Sequence, residues 1–354
     1  MFEMKNNESK NVGIISLGSG GTMGHMSLTT NLANSFKKKG LNIFLFSEHN
    51  YSEFTNKKNI NLIRILKQKH FKTVGGCLEY SHKRDLMNKI IKSNIKTIIF
   101  STFYDLDILN FAHKNKIKTI LVSYPLRNSH RQAIKIKKYY NYFDKIFTLD
   151  DITNTKKLFP NEKIVSYFVT KTKTKKNVKK IKNILVTCGG GGRPSANLFW
   201  KKIKAIVKYF NKNNPEISFT LIKGNSKFEI DSPNSKTIFW SQDFSKILMN
   251  NDLIISEAGY FTLIDLISLK KFGIIIPGER RIDNQELRGL KYESNKLGFC
   301  FLPVKNSKLI ISKISELINN PKMISELKIN NQNYSKELFK KIRIDEEILK
   351  EVLK

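Results

Sequence analysis

The segment Gly18–His25 reads Gly-Ser-Gly-Gly-Thr-Met-Gly-His, and its residue types are those that bind phosphates and move protons. It follows a short apolar run at 12–17 and precedes a stretch of helical periodicity at 26–39. A strand that ends in glycines and continues as a helix directs backbone N–H groups outward, and glycine lets a ligand approach the main chain. We therefore expect this loop to bind a phosphate or a sugar hydroxyl, with His25 as its one titratable side chain.

A second glycine-rich loop, Cys188-Gly-Gly-Gly-Gly-Arg193, lies in the other half of the chain. It follows a strand-like run at 184–187 and precedes a helical pattern at 196–210. Two strand–glycine–helix units indicate two similar domains that face each other.

The elements around both loops alternate between strand and helix, which is typical of doubly wound parallel sheets. We predict an α/β fold with two Rossmann-like domains that face each other across a cleft. In the first half the predicted strands are 12–17, 42–46, 62–65, 96–100, 118–122 and 145–148, and the helices are 26–39, 83–92, 107–115 and 131–140. In the second half the strands are 184–187, 218–222, 236–239, 253–256 and 273–276, and the helices are 196–210, 244–249, 261–268, 284–296 and a tract at 321–354.

The length of 354 residues suits two domains, each with its own core. A Lys- and Thr-rich segment at 171–182 is predicted to be the linker, although a basic face on the next strand is an alternative reading. The predicted domains are two Rossmann-like units at 1–170 and 183–335. A C-terminal helix at 336–354 is expected to pack back on the first domain.

The net charge of +33 has two interpretations, and the sequence leaves both open. One is an anionic partner, such as a lipid surface, a nucleic acid or a nucleotide-linked substrate. The other is a composition rich in Lys, Asn and Ile, as A/T-rich coding DNA produces. The three cysteines have no metal-ligand spacing, and we expect a reducing, cytoplasmic compartment.

The loop that ends at His25 resembles the G-G-T-x-G-H loop of the MurG-like glycosyltransferases, family 28 with the GT-B fold. The run at 252–266 is similar to the donor-site motif of that family. The matching positions there and in the following segment are Ser256, Gly259, Thr262, Asp265, Pro277 and the triplet Asp283-Asn-Gln285.

The resemblance implies a nucleotide-sugar donor, UDP-linked as is usual in the family. The glycine loop and Arg193 would face its diphosphate, Thr262 its proximal phosphate, Asp265 its ribose and Gln285 its sugar. The donor-binding residues implied are Gly189, Gly190, Gly191, Gly192, Arg193, Gly259, Thr262, Asp265 and Gln285.

On the other domain the resemblance implies an acceptor-side loop formed by Gly20, Gly21, Thr22 and Gly24. His25 would act as general base on the acceptor hydroxyl, because histidine titrates near neutrality. The expected reaction is an inverting, metal-independent transfer that needs no cofactor. The segments 101–107 and 123–128 stand where the peptidoglycan enzymes carry acceptor motifs, so we expect an acceptor other than lipid I.

The acceptor is expected to be a glycan, a glycolipid or a lipid-linked intermediate at the cytoplasmic membrane face, with peripheral contact to anionic lipid and no nucleic acid. One alternative is a UDP-sugar hydrolase similar to that of the pseudaminic acid pathway. Another is a non-catalytic protein that binds anions or nucleic acid through its positive charge. The pair Asp105 and Asp107 resembles a metal-binding D-x-D, but is interpreted as the start of a helix.

Overall fold

A computed structural model describes most of the chain and contains two parallel β-sheets. The described residues are 10–16, 23–47, 60–65, 73–74, 77–78, 83–126, 131–150, 152–153, 155–167, 180–190, 195–224, 226–239, 241, 243–280, 282–303, 306–340 and 342–354.

The first sheet has seven strands in the order β3-β2-β1-β6-β7-β8-β9, and every pair in it is parallel. The short strands β4 and β5 form a separate antiparallel pair. The elements are β1 Asn11–Ser16, α1 Met23–Lys37, β2 Asn42–Ser47, β3 Asn61–Arg64, β4 Thr73–Val74, β5 Cys77–Leu78, α2 Lys83–Lys92, β6 Thr97–Ser101, α3 Leu106–Lys114, β7 Lys118–Ser123, α4 Arg131–Lys137, a 3₁₀ turn at Tyr140–Tyr142, β8 Lys145–Leu149 and β9 Glu162–Val165.

The second sheet has six parallel strands in the order β12-β11-β10-β13-β14-β15. Three further helices follow its last strand. The elements are β10 Asn183–Thr187, α5 Ser195–Asn213, β11 Ser218–Ile222, β12 Ser235–Ile238, α6 Phe244–Asn250, β13 Leu253–Ser256, α7 Tyr260–Ser268, β14 Gly273–Ile275, α8 Gln285–Ser294, β15 Phe299–Cys300, α9 Ser307–Asn319, α10 Pro321–Lys340 and α11 Ile344–Leu353.

The predicted fold class is confirmed, and the central strands show why the sequence pattern was informative. β1, β6 and β10 are short apolar runs that are buried along almost their whole length. Helices cover both faces of a doubly wound parallel sheet, so its inner strands are apolar without alternation.

Two strands at the sheet edges, β9 and β15, were not predicted from the sequence. β9 contains Glu162, a residue that strands seldom bury. The carboxylate of Glu162 accepts hydrogen bonds from Thr148 Oγ1 at 2.5 Å and from the backbone N–H of Leu158 at 2.6 Å. These bonds compensate its lost hydration, and no local pattern shows them.

Helix α11 packs on the first sheet, at the far end of the chain from β1. Ile344, Ile348 and Val352 are buried in a cluster that includes residues of β1 and α1. Lys10 Nζ donates to the carbonyl of Leu353 at 2.7 Å, and Lys118 Nζ donates to that of Glu351 at 2.6 Å. Cations at a helix C-terminus satisfy its last carbonyl groups and its dipole.

The domain boundaries themselves stay a prediction, because most of the segment 171–182 lies outside the described residues. Over the part of the chain that the structure describes, no helix is both long enough and apolar enough to cross a bilayer.

Candidate active site

The carboxyl edge of the second sheet collects the loops that the sequence analysis singled out. Thr187 at the end of β10 is in register with Ile222 of β11 and with Ser256 of β13. Ser256 is in turn in register with Ile275 of β14. The four loops that follow these strands therefore emerge side by side. Ligands of doubly wound sheets bind at this edge, where the strand order reverses beside the first strand.

The glycine loop after β10 is closely packed against the end of β11. Gly189 has a φ of +70°, which favours glycine, and Gly224 has a φ of +53°. A Cβ atom at position 224 would lie 2.6 Å from the carbonyl oxygen of Gly190. Gly224 is thus required by close backbone approach, and the sequence analysis missed it. Its only signal was a glycine two residues after an apolar run. Gly191, Gly192 and Arg193 lie outside the described residues.

Helix α7 begins directly after Gly259, which has extended backbone and gives the helix no side-chain cap. The hydroxyl of Thr262 lies close to this turn, 3.7 Å from where a Cβ atom of residue 259 would be. The first N–H groups of a helix have no partner within it, and they attract anions. Gly259 and Thr262 therefore frame a helix N-terminus suited to a phosphate.

Asp265 lies one turn further along α7, and burial raises the pKa of its carboxyl to about 7. The residue as a whole is half-buried. Its charge helps to raise the pKa of Tyr167, after the larger effect of burial, so the two side chains are neighbours. The ring of Tyr167 packs 4.9 Å from that of Phe261, and its hydroxyl accepts a bond from Asn31 Nδ2 at 2.7 Å.

Gln285 is the first residue of α8, and it is buried. Its side-chain oxygen accepts a hydrogen bond from the backbone N–H of Gly278 at 2.9 Å. The bond closes the loop after β14 on itself. Because it uses the carbonyl oxygen, the Nε2 group of the amide is the part of this side chain that can donate to a ligand.

Arg288 lies one turn after Gln285, and it is also buried. Its guanidinium donates to the carbonyl of Ala258 and to Asp283 Oδ1, each at 2.8 Å. No role of Arg288 was predicted from the sequence. The only sequence signal was an arginine five residues after the Asp of the Asp-Asn-Gln triplet. An ion pair exposed to solvent gives the same spacing, so the signal does not distinguish a buried arginine.

A second ion pair at this edge joins Glu257 to Arg280. Glu257 follows β13 directly, and a Cβ atom at Gly278 would lie 2.5 Å from its Oε1 atom. Burial raises the pKa of the Cys188 thiol to about 12, the Glu257 charge adds to this, and Arg280 opposes it. The pair thus lies beside the start of the glycine loop, and it keeps a buried carboxylate neutralised there.

The loop after β14 also reaches the first sheet. Asp283 forms a backbone bridge with Leu126, which follows β7. Ile282 packs against the hydrophobic cluster of the first domain. The Tyr260 hydroxyl donates to the carbonyl of Asp150 at 2.8 Å, just after β8. These contacts hold the carboxyl edges of the two sheets against each other.

On the first sheet, His25 and Gly24 lie in the first turn of α1, which starts at Met23, three residues before the predicted start. The position of the His25 side chain, like the residues Gly20, Gly21 and Thr22, lies outside what the structure describes. At the end of β6, the hydroxyls of Ser101 and Thr102 are buried and have no hydrogen-bond partner among the described residues. Thr102 has a φ of +69°, which is unusual for a β-branched residue.

Asp105 is the N-cap of α3, as the sequence analysis interpreted it. Its carboxylate accepts bonds from the backbone N–H groups of Asp107 and Ile108 at 2.9 and 3.2 Å. Across the described ranges, no group of three His, Cys, Asp or Glu side chains is placed to hold a metal ion.

The second half of the chain matches a known family model. Residues 183–343 match the glycosyltransferase family 28 C-terminal domain. A curated relative from Rickettsia bellii, UDP-N-acetylglucosamine--N-acetylmuramyl-(pentapeptide) pyrophosphoryl-undecaprenol N-acetylglucosamine transferase, is 25% identical over 174 residues. The match covers 46% of this chain and 47% of the relative, and so spans about half of the relative's length.

Solved structures resemble the whole chain. MurG of Acinetobacter baumannii superimposes with a TM-score of 0.61 over 92% of this chain and 95% of its own, at 13% identity. The spinosyn forosaminyltransferase SpnP superimposes with a TM-score of 0.73 over 98% of this chain and 100% of its own, at 11% identity. These likenesses extend the GT-B architecture to both sheets.

Proposed function

Since the chain is a MurG-like protein of GT-B fold with a family 28 glycosyltransferase C-terminal domain, we propose that it transfers a sugar from a nucleotide-sugar, UDP-linked, to a glycan, glycolipid or lipid-linked acceptor. The transfer is inverting and uses neither a metal nor a cofactor.

The observation that carries this proposal is the arrangement at the carboxyl edge of the second sheet. The N-terminus of α7 with Thr262, the carboxyl of Asp265 on the same helix, and the buried amide of Gln285 at the start of α8 follow two neighbouring strands, β13 and β14. A helix N-terminus suits a phosphate, and a carboxylate accepts two bonds from a vicinal diol such as a ribose. An amide suits sugar hydroxyls. Together these groups match a nucleoside diphosphate sugar.

In the proposed reaction His25 takes the proton of the acceptor hydroxyl as the oxygen attacks the anomeric carbon. The bond from that carbon to the diphosphate breaks, and the charge passes to the leaving group. Backbone N–H groups of Gly189–Gly192 and of the α7 N-terminus, together with Arg193 and Thr262, would stabilise this charge. Preorganised donors of this kind contribute a large part of enzymatic rate enhancement.

The acceptor side belongs to the proposal as well. We place the reaction at the cytoplasmic membrane face, with peripheral contact to anionic lipid. The surface around α4 supports this, because Ile134 and Tyr142 are more than half exposed there beside basic residues. Apolar side chains flanked by cations favour the headgroup region of an anionic bilayer.

A thermal-shift screen of nucleoside diphosphates and their sugars tests the donor half of the proposal. We expect UDP and at least one UDP-sugar to raise the melting temperature, since a ligand at 100 times its Kd stabilises by about 2.7 kcal/mol. No shift with any nucleotide would contradict the proposal.

The screen is followed by incubation of the purified protein with the stabilising UDP-sugar and no acceptor. We expect little free sugar, because transfer needs the acceptor hydroxyl. Rapid stoichiometric release of free sugar would favour the hydrolase, in which His25 activates water. Binding of nucleic acid with a steep salt dependence, and of no nucleotide, would favour the anion-binding alternative.

A further inference from the structure

Arg288 is among the largest fully buried side chains in the described part of the chain, with 1% of its surface exposed. A buried guanidinium loses its hydration, and proteins retain such groups where they are fully hydrogen-bonded. The stability of the core alone therefore does not explain an arginine here, since apolar residues usually fill such a position at lower cost.

The contacts of Arg288 join two segments that are distant in sequence. One is the turn before α7, where the carbonyl of Ala258 accepts a bond at 2.8 Å, 30 residues away in the chain. The other is the Asp283–Gln285 segment, where Asp283 Oδ1 accepts a bond at 2.8 Å. The first segment carries the phosphate-binding helix N-terminus, and the second carries the amide of Gln285.

The same guanidinium also faces the first domain through Tyr260. Its central carbon lies 5.9 Å from the centroid of the Tyr260 ring. The hydroxyl of that ring donates to the carbonyl of Asp150 at 2.8 Å, and Asp283 pairs with Leu126. Arg288 therefore lies where the two donor segments and the first domain meet.

We propose that Arg288 is a positioning residue for the donor sugar. It holds the Asp283–Gln285 segment at a fixed distance from the α7 N-terminus. The amide of Gln285 can then donate hydrogen bonds to sugar hydroxyls while the phosphates bind at the N-terminus of the helix. The inference depends on the proposed function, since it names the part of the donor that these contacts select.

The planar guanidinium group of arginine is the reason why a lysine at position 288 would not hold the two segments in the same way. It donates to Ala258 and Asp283 from two different nitrogens at once, and its central carbon lies over the Tyr260 ring. A lysine ammonium is a point charge without this geometry, and it stacks poorly on a ring. Arg288→Lys therefore keeps the charge but removes the alignment.

The test compares Arg288→Lys and Asp283→Asn with the wild-type protein and with Lys291→Ala, an exposed position on the same helix. Calorimetry measures the Kd of UDP and of a panel of UDP-sugars, namely UDP-N-acetylglucosamine, UDP-glucose and UDP-galactose. Circular dichroism and thermal melting establish that each variant is folded. Asp283→Asn keeps an oxygen acceptor for Arg288, and so provides a folded variant if Arg288→Lys does not fold.

We expect both variants to bind the preferred UDP-sugar about tenfold more weakly, which is the loss of one charge-assisted bond, while the Kd of UDP stays within twofold. In both variants the Kd values of the three UDP-sugars should become nearly equal to one another. Lys291→Ala should have the same Kd values as the wild type. An unchanged ratio in a folded variant would overturn the inference, as would an equal loss for UDP and its sugars.

A wild-type protein that binds UDP but does not distinguish among the sugars would also overturn the inference, while leaving the proposed function in place. A wild-type protein that binds no nucleotide would overturn the proposed function first.

Discussion

The carboxyl edges of the two sheets have the same winding order but carry different side chains. In each sheet the first strand lies between the second strand and the later ones. The second edge bears charged and amide groups that are each held by another residue of that edge: Glu257 pairs with Arg280, Gln285 accepts from Gly278, and Arg288 donates to Ala258. The first edge, within its described residues, bears small hydroxyl side chains such as Ser101 and Thr102, one of them on a strained backbone.

The difference shows how one topology provides two kinds of site. The family model covers residues 183–343, which is the half that contains these bonded polar groups. Polar groups held in place by hydrogen bonds suit a ligand of constant structure, such as a nucleoside diphosphate. In the proposed function, the first edge faces the acceptor. The following predictions test this division between the two edges.

The largest effect is expected at the first edge, for His25→Ala. Loss of a general base reduces turnover by about 10²- to 10⁴-fold, and UDP affinity should stay within twofold because the proposed nucleotide site is at the other edge. UDP release from a UDP-sugar, with a membrane extract as acceptor source, measures turnover. His113→Ala, at an exposed histidine of the same domain, is the control. Unchanged turnover would remove His25 from the mechanism.

At the second edge, Asp265→Asn should weaken UDP binding by about ten- to a hundredfold, the range for charge-assisted hydrogen bonds. Calorimetry measures this loss, and Asp231→Asn at an exposed position is the control. If the affinity for UDP does not change, Asp265 does not contact the ribose.

The same variant should change how stability depends on pH. The pKa of Asp265 is about 7 in the folded protein, against an ordinary value of 3.8. Between these values the folded protein holds a proton that the unfolded chain releases, so the free energy of unfolding falls as pH rises. Asparagine has no such proton. Urea denaturation should therefore show a shallower decline for Asp265→Asn between pH 4 and 7, and greater stability than wild type at pH 8.

A pair of glycine variants separates backbone conformation from close packing at the glycine loop after β10. Gly189→Ala introduces a Cβ with no described atom within 4 Å, so its positive φ is the expected source of destabilisation, at about 1 kcal/mol. Gly224→Ala adds a clash with the Gly190 carbonyl, and we expect about 2–3 kcal/mol and a weaker affinity for UDP. Urea denaturation measures the stability of the two variants, and UDP titration measures their affinity for UDP. Equal destabilisation by the two substitutions would show that the loop containing Gly190 moves to make room for the new Cβ atom.

The smallest effect is expected for Asp105→Ala at the first edge. Loss of an N-cap costs about 1 kcal/mol of stability, and Asp107→Ala at the exposed neighbour should cost less. Turnover should not respond to EDTA in the wild type or in either variant. Activity that depends on added Mn²⁺ or Mg²⁺ and is lost with Asp105 would restore the metal-binding interpretation.

Local patterns determined the fold class and the order of the elements. Apolar runs such as 184–187 and 253–256 are buried on both faces of the sheet. Their burial can therefore be predicted from their composition, without knowing which strands they pair with. The Asp105 cap was equally local, since its acceptor and its donors lie within three residues. The motif around Thr262 and Asp265 was found through its resemblance to a glycosyltransferase family, and the strand end and helix start that carry it are local features of the sequence.

Only the tertiary structure decided which side chains hold the site in place. Arg288 meets Ala258 across 30 residues, and Tyr260 meets Asp150 across 110. Gly224 is constrained by the backbone of Gly190, which lies on a neighbouring strand's loop. Such contacts depend on the positions in space at which the strands end. The physical reason is that hydrogen-bond geometry and close packing are set by distances in space, which a local sequence pattern does not contain.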